Sequence, residues 1–476
     1  MATEAVQRRP DAPVNGLDAY FGITERGSTI GTEVVAGLTT FMVMAYIIFL
    51  NPVILTTGAK IANQDLPFNA TVAATCLVSA VMTIAMGLYA NYPFALAPGL
   101  GLNSIVAFQL IANNGLDWRA AMGVVFMEGM LITILVVTGL REAVADAIPL
   151  SLKRAISVGI GLFILFIGFY TGGLVRVPIQ IGQVVQQPPP VPLSLGDFTS
   201  LPVIVTIVGL GLTAWLMAAR VRAGILIGIL ATTGLAIVLH YATGKAVSSV
   251  PGKAILPAQL FSLPDFSTIG AGVNFGALAQ MGVIALLLTV FALMLSDFFD
   301  TIGTVIGIGT EARWLDERGR LPRMNRVLLV DSLAAAAGGA ASASTATTYI
   351  ESAAGVGAGG RTGLTSLVVG VLFLLGLFVA PIAGVVPPEA TAPALIIIGF
   401  YMAAIVREIP LEDFEEGFPA LLALIVMPLT WSITNGVGAG FVAYCFIKLL
   451  RGRARAVHPL MWLSALAFIL YFALWR

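Results

Sequence analysis

The chain has 476 residues, of which 58% are hydrophobic and only 11% are charged. A soluble protein usually carries about 25% charged residues. This composition therefore excludes an ordinary soluble fold and predicts that the lipid bilayer surrounds the chain. The 25 basic and 25 acidic side chains cancel, which argues against nucleic acid as a partner.

Residues 1–29 are polar and charged and lack the pattern of a cleaved signal peptide. After them, apolar runs long enough to span or half-span a bilayer recur along the chain and predict about fourteen transmembrane segments. The first seven predicted spans are 30–55, 70–90, 93–112, 119–139, 152–170, 200–218 and 222–240. The next seven are 278–309, 326–341, 344–360, 363–386, 390–406, 415–431 and 433–450. A further apolar run covers residues 458–475, and its membrane placement stays open.

The predicted spans divide the chain into two halves, which predicts an all-α polytopic membrane protein built from two repeats. An odd number of spans gives each half the opposite orientation, as in transporters made of inverted repeats with a substrate site near the midplane. The predicted parts are a cytoplasmic N-terminal segment 1–29, a first repeat 30–240, an extracellular linker 241–277, a second repeat 278–450 and a C-terminal segment 451–476 with a further apolar helix.

The positions of Lys and Arg give this topology an orientation. If the predicted spans alternate, nineteen basic residues fall on the side of the N-terminus and five fall on the other side. Cytoplasmic loops carry the excess of Lys and Arg, so we expect a cytoplasmic N-terminus in a multi-pass protein of the inner or plasma membrane.

Two aspartates lie deep in the apolar run LMLSDFFDTIGTVIGIG. Asp297, Asp300 and Thr304 are spaced i, i+3, i+7, so a helix places them on one face. Carboxyl groups at membrane depth are costly and usually face a cavity or a partner. A function is therefore expected for Asp300 and less strongly for Asp297, the alternative being a helix cap or an ion pair.

The segment ASASTATTYIESAAGVGAGGRTGLTS is rich in small residues and hydroxyls and contains Glu351. This composition favours a short half-helix whose N-terminal amides help to bind a ligand. A helix interface made of small residues is the alternative, but it does not explain why a carboxyl group, that of Glu351, lies in the middle of the segment.

A second interrupted segment, NYPFALAPGLGLNSIVAF, has prolines and glycines just before Asn103. Irregular backbone at membrane depth is tolerated where it lines a cavity or is buried in protein. Asn103 offers a donor and an acceptor to a base edge, or else caps a helix. Glu128 is a further buried carboxyl with no evident partner, and Asp331 is expected near a helix end.

No GxxxxGK[ST] phosphate loop occurs, so transport driven by ATP is not expected. The two cysteines and two histidines are scattered, and they form no readable disulfide or metal site. We therefore expect no cofactor and no metal, and a proton gradient linked to a titrating membrane carboxyl as the energy source.

Four blocks together resemble the adenine/guanine/hypoxanthine permeases, a branch of the nucleobase–cation symporters that include the uracil and xanthine permeases. The resemblance runs from about Phe21 to the end of the chain. The blocks are FGITERGSTIGTEVVAGLTTFMVMAYIIFLNPVIL, APGLGLNS, FFDTIGT and TATTYIESAAGVGAGGRTGLTS.

This resemblance implies a fold of fourteen spans in two inverted repeats of seven. Spans one to four and eight to eleven would form a core domain, and the others would form a gate domain. Spans three and ten would each contain a short strand and a half-helix.

The resemblance also implies roles for individual residues. Asp300 and Glu351 match the acidic residues of spans eight and ten, and Asn103 matches a polar contact in span three. Thr304 stands where the uracil permease has a histidine. The implied substrate-binding set is Asn103, Asp300, Thr304, Tyr349, Ile350, Glu351 and Ser352. Tyr349, Ile350 and Ser352 flank Glu351 and are expected to offer backbone amides. The predicted proton-coupling set is Asp300 and Glu351, together with Asp297, which is added because of its helix face and not because of the resemblance.

The leading hypothesis is thus a secondary transporter, not an enzyme, that carries a purine nucleobase together with a proton. A uracil, xanthine or anion transporter of the same fold is the alternative, although an anion carrier should have a basic residue in these blocks. An intramembrane hydrolase that uses Asp297 and Asp300 is the hypothesis from another class. The assembly is left open between a monomer and a homodimer.

Overall fold

The computed structural model describes residues 16–139, 147–176, 193–315 and 321–474. The predicted segment 1–29 is therefore described only from residue 16. The first-half helices are α1 (Gly16–Phe21), α2 (Ile30–Met44), α3 (Ile47–Ile61), α4 (Phe68–Ala85), α5 (Leu100–Ser104), α6 (Trp118–Thr138), α7 (Leu150–Thr171), α8 (Leu201–Ala218) and α9 (Gly224–Thr243). Wider helical turns continue α4 through Met86–Ala90 and α5 through Ile105–Asn113.

The second half continues the same helical pattern. Its helices are α10 (Ala277–Met281), α11 (Val283–Glu311), α12 (Met324–Ala340), α13 (Ser352–Gly357), α14 (Gly363–Gly376), α15 (Ala380–Val385), α16 (Pro388–Ala403), α17 (Phe414–Thr430), α18 (Ile433–Leu450) and α19 (Pro459–Leu474). The strands in the described ranges are β1 (Leu96–Pro98), β2 (Val175–Arg176), β3 (Ser194–Leu195) and β4 (Ala346–Thr348).

Every predicted span corresponds to helical or interrupted structure, but the boundaries differ. Within the described ranges, nine helical segments are long and apolar enough to cross a membrane. The first of them runs over Ile30–Ile61 and is interrupted at Ala45 and Tyr46 between α2 and α3. The chain is thus a multi-pass membrane protein, whereas fourteen crossings and the inverted-repeat relation stay predictions.

The predicted span 344–360 is not a continuous helix. It consists of β4 followed by α13, which has only six residues. The predicted span 93–112 likewise holds β1 followed by the short α5 and its continuation. Short strands and half-helices therefore lie in the two segments where the Pro-rich and Gly-rich composition predicted irregular backbone.

The helices pack in two groups. One group contains α2, α3, α4, α6, α12 and α14, and it surrounds the two interrupted segments. The other group contains α7, α8, α9, α16, α17 and α18. The last helix, α19, packs on α18 and also on α11, so the further apolar run is a helix that reaches the element carrying Asp300.

Glycines permit a close helix contact in the first group. Gly129 of α6 faces the backbone of Ala335 and Ala336 in α12, and Gly339 of α12 faces the backbone of Phe126 in α6. A Cβ atom at either glycine would collide with the opposite main chain. Small residues at such positions let two membrane helices approach closely, and this contact places α12 directly behind β4.

Candidate binding site between the interrupted segments

The two interrupted segments meet as an antiparallel pair of strands. In their register Leu96 lies opposite Thr348, and Pro98 lies opposite Ala346. Backbone hydrogen bonds extend the pairing beyond the strands, since Gly99 N–H donates to the carbonyl of Thr345 at 2.9 Å and Tyr349 N–H donates to that of Ala95 at 2.9 Å. The starts of α5 and α13 are thereby held next to each other.

A two-stranded sheet leaves its outer edges unpaired, and lipid offers them no hydrogen bonds. The Thr83 hydroxyl serves the outer edge of β1, because it accepts from Leu96 N–H at 2.9 Å and donates to the Leu96 carbonyl at 3.1 Å. Asp331 serves the outer edge of β4. Its carboxylate accepts from the N–H and the hydroxyl of Thr348 at 2.8 and 2.7 Å, and from the hydroxyl of Thr301 at 2.6 Å.

The contacts of Asp331 correct the sequence-based expectation that it lies near a helix end. Asp331 lies well inside α12 and is 1% exposed. Its role is to fix β4 from behind. Glu128 of α6 lies in the same layer at 0% exposure, where the Thr345 hydroxyl is 3.5 Å from its Oε2. The partner that the sequence did not reveal is therefore the chain just before β4.

We expect Thr83→Val to lower the melting temperature of the purified protein. The substitution leaves the N–H and carbonyl of Leu96 without their partner, and a buried unsatisfied group costs about 1–3 kcal/mol. Thr233→Val is the matched control, because among the described residues the buried Thr233 hydroxyl bonds only to the Ile229 carbonyl of its own helix, at 2.8 Å. Equal losses of thermal stability in the two variants would contradict this account of β1.

A cavity opens at the end of the strand pair, between the two helix groups. Its volume is about 130 Å³, whereas one water needs only ~10–15 Å³, so the space suits a small molecule of on the order of ten heavy atoms. The lining residues come from seven places in the chain: Tyr46; Gly99, Leu100, Gly101 and Leu102; Ser157 and Ile160; Ser296, Asp300 and Thr304; Thr348, Tyr349, Ile350 and Glu351; Ile398; and Met402.

Glu351 lies where β4 has ended and α13 begins, and its side chain lines the cavity. The amides of Ser352 and Ala353 that follow it already donate to the carbonyls of Tyr349 and Ile350. The Tyr46 hydroxyl donates a 2.5 Å hydrogen bond to Glu351 Oε1. The neighbouring Tyr349 hydroxyl donates to the carbonyl of Pro98 at 2.5 Å. Both phenols therefore tie the second interrupted segment to the first half of the chain.

Asp300 and Thr304 reach the same cavity from α11, which agrees with their predicted common face. Asp297 does not line the cavity. It is 1% exposed and interacts inside the protein. The third member of the predicted face thus points to packed residues, and its proposed part in proton coupling stays a prediction.

Two other members of the predicted substrate set lie beside the cavity and do not line it. Asn103 is fully buried in α5, and its Nδ2 lies 3.4 Å from the Pro98 carbonyl. The Ser352 hydroxyl accepts a hydrogen bond from Ala95 N–H at 3.0 Å. Ile350, by contrast, lines the cavity. Contact of Asn103 and Ser352 with a ligand stays a prediction, whereas both support the interrupted backbone.

Sequence reasoning missed several lining residues. Ser157 and Met402 come from α7 and α16, outside the four quoted blocks. Tyr46 lies within the first block, at the turn between α2 and α3, but nothing in that block singled it out. Ser296 had a usable signal, because it precedes Asp300 by four residues and so shares its helix face. The lining contains two carboxyl groups and several hydroxyls, and the described residues that form it include no Lys, Arg or His.

A buried glutamate outside the cavity supports the loop after α13. Glu33 is 0% exposed and its carboxylate accepts from Arg361 N–H at 2.9 Å, Thr362 N–H at 3.2 Å and the Thr365 hydroxyl at 2.6 Å. These bonds hold the chain just before α14 and fix the far end of the interrupted segment, so Glu33 has a structural role that the sequence pattern did not reveal.

The fold, in which two interrupted segments pair as strands beside a cavity, has counterparts among solved structures. Among solved structures, the chain is similar to the transmembrane domain of a cyanobacterial bicarbonate transporter, BicA, with a TM-score of 0.57 and 14% identity over 86% of this chain and 97% of that one. It is also similar to the anion transporter SLC26A9 of the mouse, with a TM-score of 0.59 and 12% identity over 94% of this chain and 74% of that one. These likenesses concern the fold alone.

Sequence comparisons give the family. Residues 31–438 match the model of the Permease family. A putative permease of Methanocaldococcus jannaschii is 39% identical over 96% of this chain and 98% of its own length. The guanine/hypoxanthine permease PbuG of Bacillus subtilis is 38% identical over 96% and 99%, and the adenine permease AdeP of Escherichia coli is 37% identical over 95% of each chain.

The chain therefore belongs to the Permease family, which confirms the predicted relationship. It is a membrane transporter and not an enzyme. The intramembrane hydrolase hypothesis is wrong, since relatives over nearly the whole chain are permeases.

Proposed function

We propose that this permease carries purine nucleobases such as adenine, guanine or hypoxanthine into the cell, each together with a proton. The observation that carries the proposal is the cavity where Asp300 and Glu351 meet without a basic side chain in the described lining. Curated relatives named for guanine, hypoxanthine and adenine transport support the substrate class.

The chemistry of the cavity fits a neutral heteroaromatic ring. Carboxylates accept hydrogen bonds from ring N–H and exocyclic amino groups, while hydroxyls such as those of Thr304 and Ser296 donate or accept. The apolar side chains of Ile160, Ile398 and Met402 lie around these groups and suit the faces of a flat ring. Ligand sites of this kind combine an apolar wall with a few placed polar groups.

The alternative substrates are less well supported. An anion would face two carboxyl groups with no compensating cation in the described lining, an arrangement that Coulomb repulsion disfavours. Uracil and xanthine share the N–H donors of the purines, so the cavity alone does not separate them. The proposal that the substrates are purine bases therefore rests on the curated relatives.

The predicted coupling, assembly and topology belong to this proposal as well. Asp300 and Glu351 are the proposed proton carriers, with Asp297 as the weaker member of the set. We further propose a cytoplasmic N-terminus, a place in the cell membrane, and movement of a core group of helices against a gate group. A homodimer stays an alternative to a monomer.

A competition assay tests the substrate class. Uptake of labelled hypoxanthine, guanine and adenine into cells that express the protein is measured against unlabelled bases and nucleosides. We expect the purine bases to compete and the nucleosides to compete poorly, because a ribose adds about as many heavy atoms as the base and overfills the cavity. Equal competition by inosine and hypoxanthine would refute the proposed recognition of a base, and stronger competition by uracil would favour the alternative substrate.

A further inference from the structure

The hydroxyl of Tyr46 is the closest side-chain neighbour of the Glu351 carboxylate. Tyr46 lies at the turn between α2 and α3 and is 1% exposed, although its side chain reaches the cavity wall. Its hydroxyl donates to Glu351 Oε1 at 2.5 Å. Within the described residues that hydroxyl makes no other hydrogen bond.

A carboxylate has two acceptor oxygens and no donor. Because Oε1 already accepts the Tyr46 proton, we expect Oε2 to be the oxygen that a molecule in the cavity meets. A glutamate side chain otherwise turns about its last torsion with little restriction. A fixed hydrogen bond from a buried phenol removes that freedom before the ligand arrives, which is the usual benefit of a preorganised site.

We propose that Tyr46 is a positioning residue that decides which atom of Glu351 faces the bound base. The inference rests on the proposed function, because it treats Glu351 as an acceptor for an N–H group of a purine. It adds to that function a role for Tyr46, a residue of the first half of the chain. Tyr46 would determine whether residue 351, in the second half, presents a hydrogen-bond acceptor or a donor to the base.

The inference makes an unusual prediction for the amide variant of Glu351. The Tyr46 hydroxyl has no acceptor other than residue 351 among the described residues, so its proton is left unpaired unless it keeps donating to that side chain. In Glu351→Gln we therefore expect the amide oxygen to accept the Tyr46 proton and the NH₂ group to face the base. A donor then faces the N–H donor of the purine. Removing the phenol hydroxyl with Tyr46→Phe frees the amide to rotate and to present its oxygen to the base.

The experiment measures the dissociation constant of four purified full-length proteins for labelled hypoxanthine, guanine and adenine. The proteins are the wild type, Tyr46→Phe, Glu351→Gln and the double variant. We expect Tyr46→Phe alone to weaken binding by about threefold to tenfold and Glu351→Gln by about tenfold or more. The double variant should bind more tightly than Glu351→Gln alone. The second substitution would then restore part of the lost affinity, whereas independent effects would add to a larger loss.

Tyr92→Phe is the matched control. It removes a different phenol hydrogen bond, from the Tyr92 hydroxyl to the Pro322 carbonyl at 2.7 Å, at a residue that does not line the cavity. Its dissociation constant should equal that of the wild type, and its effect should simply add to that of Glu351→Gln.

The outcomes separate the two proposals. If the losses of Tyr46→Phe and Glu351→Gln add, or if Tyr46→Phe binds like the wild type, the positioning role is refuted while purine binding stands. If the wild type binds none of the three bases, the proposed function itself fails and this inference fails with it. Melting temperatures of all variants identify any loss that comes from unfolding.

Discussion

Glu351→Gln is expected to weaken purine binding by the purified protein by about tenfold or more. Glu351 stands at the junction of β4 and α13 and reaches the cavity with one oxygen already bonded to Tyr46. The amide keeps the size of the side chain but places a donor where the base needs an acceptor. A buried donor left unpaired costs about 1–3 kcal/mol, and each 1.4 kcal/mol is about a factor of ten in affinity.

The control for this variant is Glu389→Gln. Glu389 is also a buried glutamate of the second half, at 1% exposure, and it bonds to the Ser248 hydroxyl and the Ser249 amide rather than to the cavity. We expect this control to keep the wild-type dissociation constant, even if its melting temperature falls. Unchanged binding in Glu351→Gln would place the base-binding carboxyl elsewhere.

Asp300→Asn is expected to abolish uphill accumulation of a purine base driven by a proton gradient. Asp300 lines the cavity from α11, so its carboxyl group can gain or lose a proton directly beside the proposed binding site of the base. An asparagine cannot carry that proton, and linkage between proton and ligand is lost. Exchange of labelled for unlabelled base should survive in part, because exchange requires no net movement of protons.

The measurement uses proteoliposomes with and without an imposed pH gradient. Asp297→Asn is the control on the same helix, because Asp297 is buried away from the cavity. It should reduce accumulation less than Asp300→Asn does. Wild-type uptake that ignores the gradient would refute proton coupling. A greater loss in Asp297→Asn would move the coupling role to that carboxyl.

Local sequence predicted the interrupted segments but not how they meet. Prolines and glycines before Asn103, and small residues around Glu351, are local signals for backbone that cannot continue as a helix. The pairing of Leu96 with Thr348 joins residues about half the chain apart. No periodicity within either segment encodes that register, so it depends on the tertiary fold.

The same distinction separates the site residues that were found from those that were missed. Asp300 and Thr304 share a helix face by spacing alone, and the cavity contains both. Tyr46 lies at the turn between α2 and α3, and its contact with Glu351 joins residues 305 positions apart, which no local pattern predicts. Asp331 was misplaced because its backbone and hydroxyl partners lie on β4 and α11, which the sequence around Asp331 does not show.

Asn103 illustrates the limit of a motif. Its amide suits a base edge in composition, but α5 turns it into the packed interior beside Pro98. Successive residues of a helix point about 100° apart, so Leu102 reaches the cavity while the next residue does not. A motif specifies the residue types of a site more reliably than the direction of each side chain.

The pairing of β1 with β4 also has a consequence for biosynthesis. The ribosome synthesises the first interrupted segment long before the second. The inner edge of β1 is therefore unpaired in the bilayer until β4 has been made. At that stage the Thr83 hydroxyl can already bond to the outer edge of β1, because Thr83 lies in the neighbouring helix of the same half. Because contacts between distant parts of a chain form late, the pocket is completed only when the second half arrives. A nascent chain released after its first half would be inserted yet unable to bind its cargo.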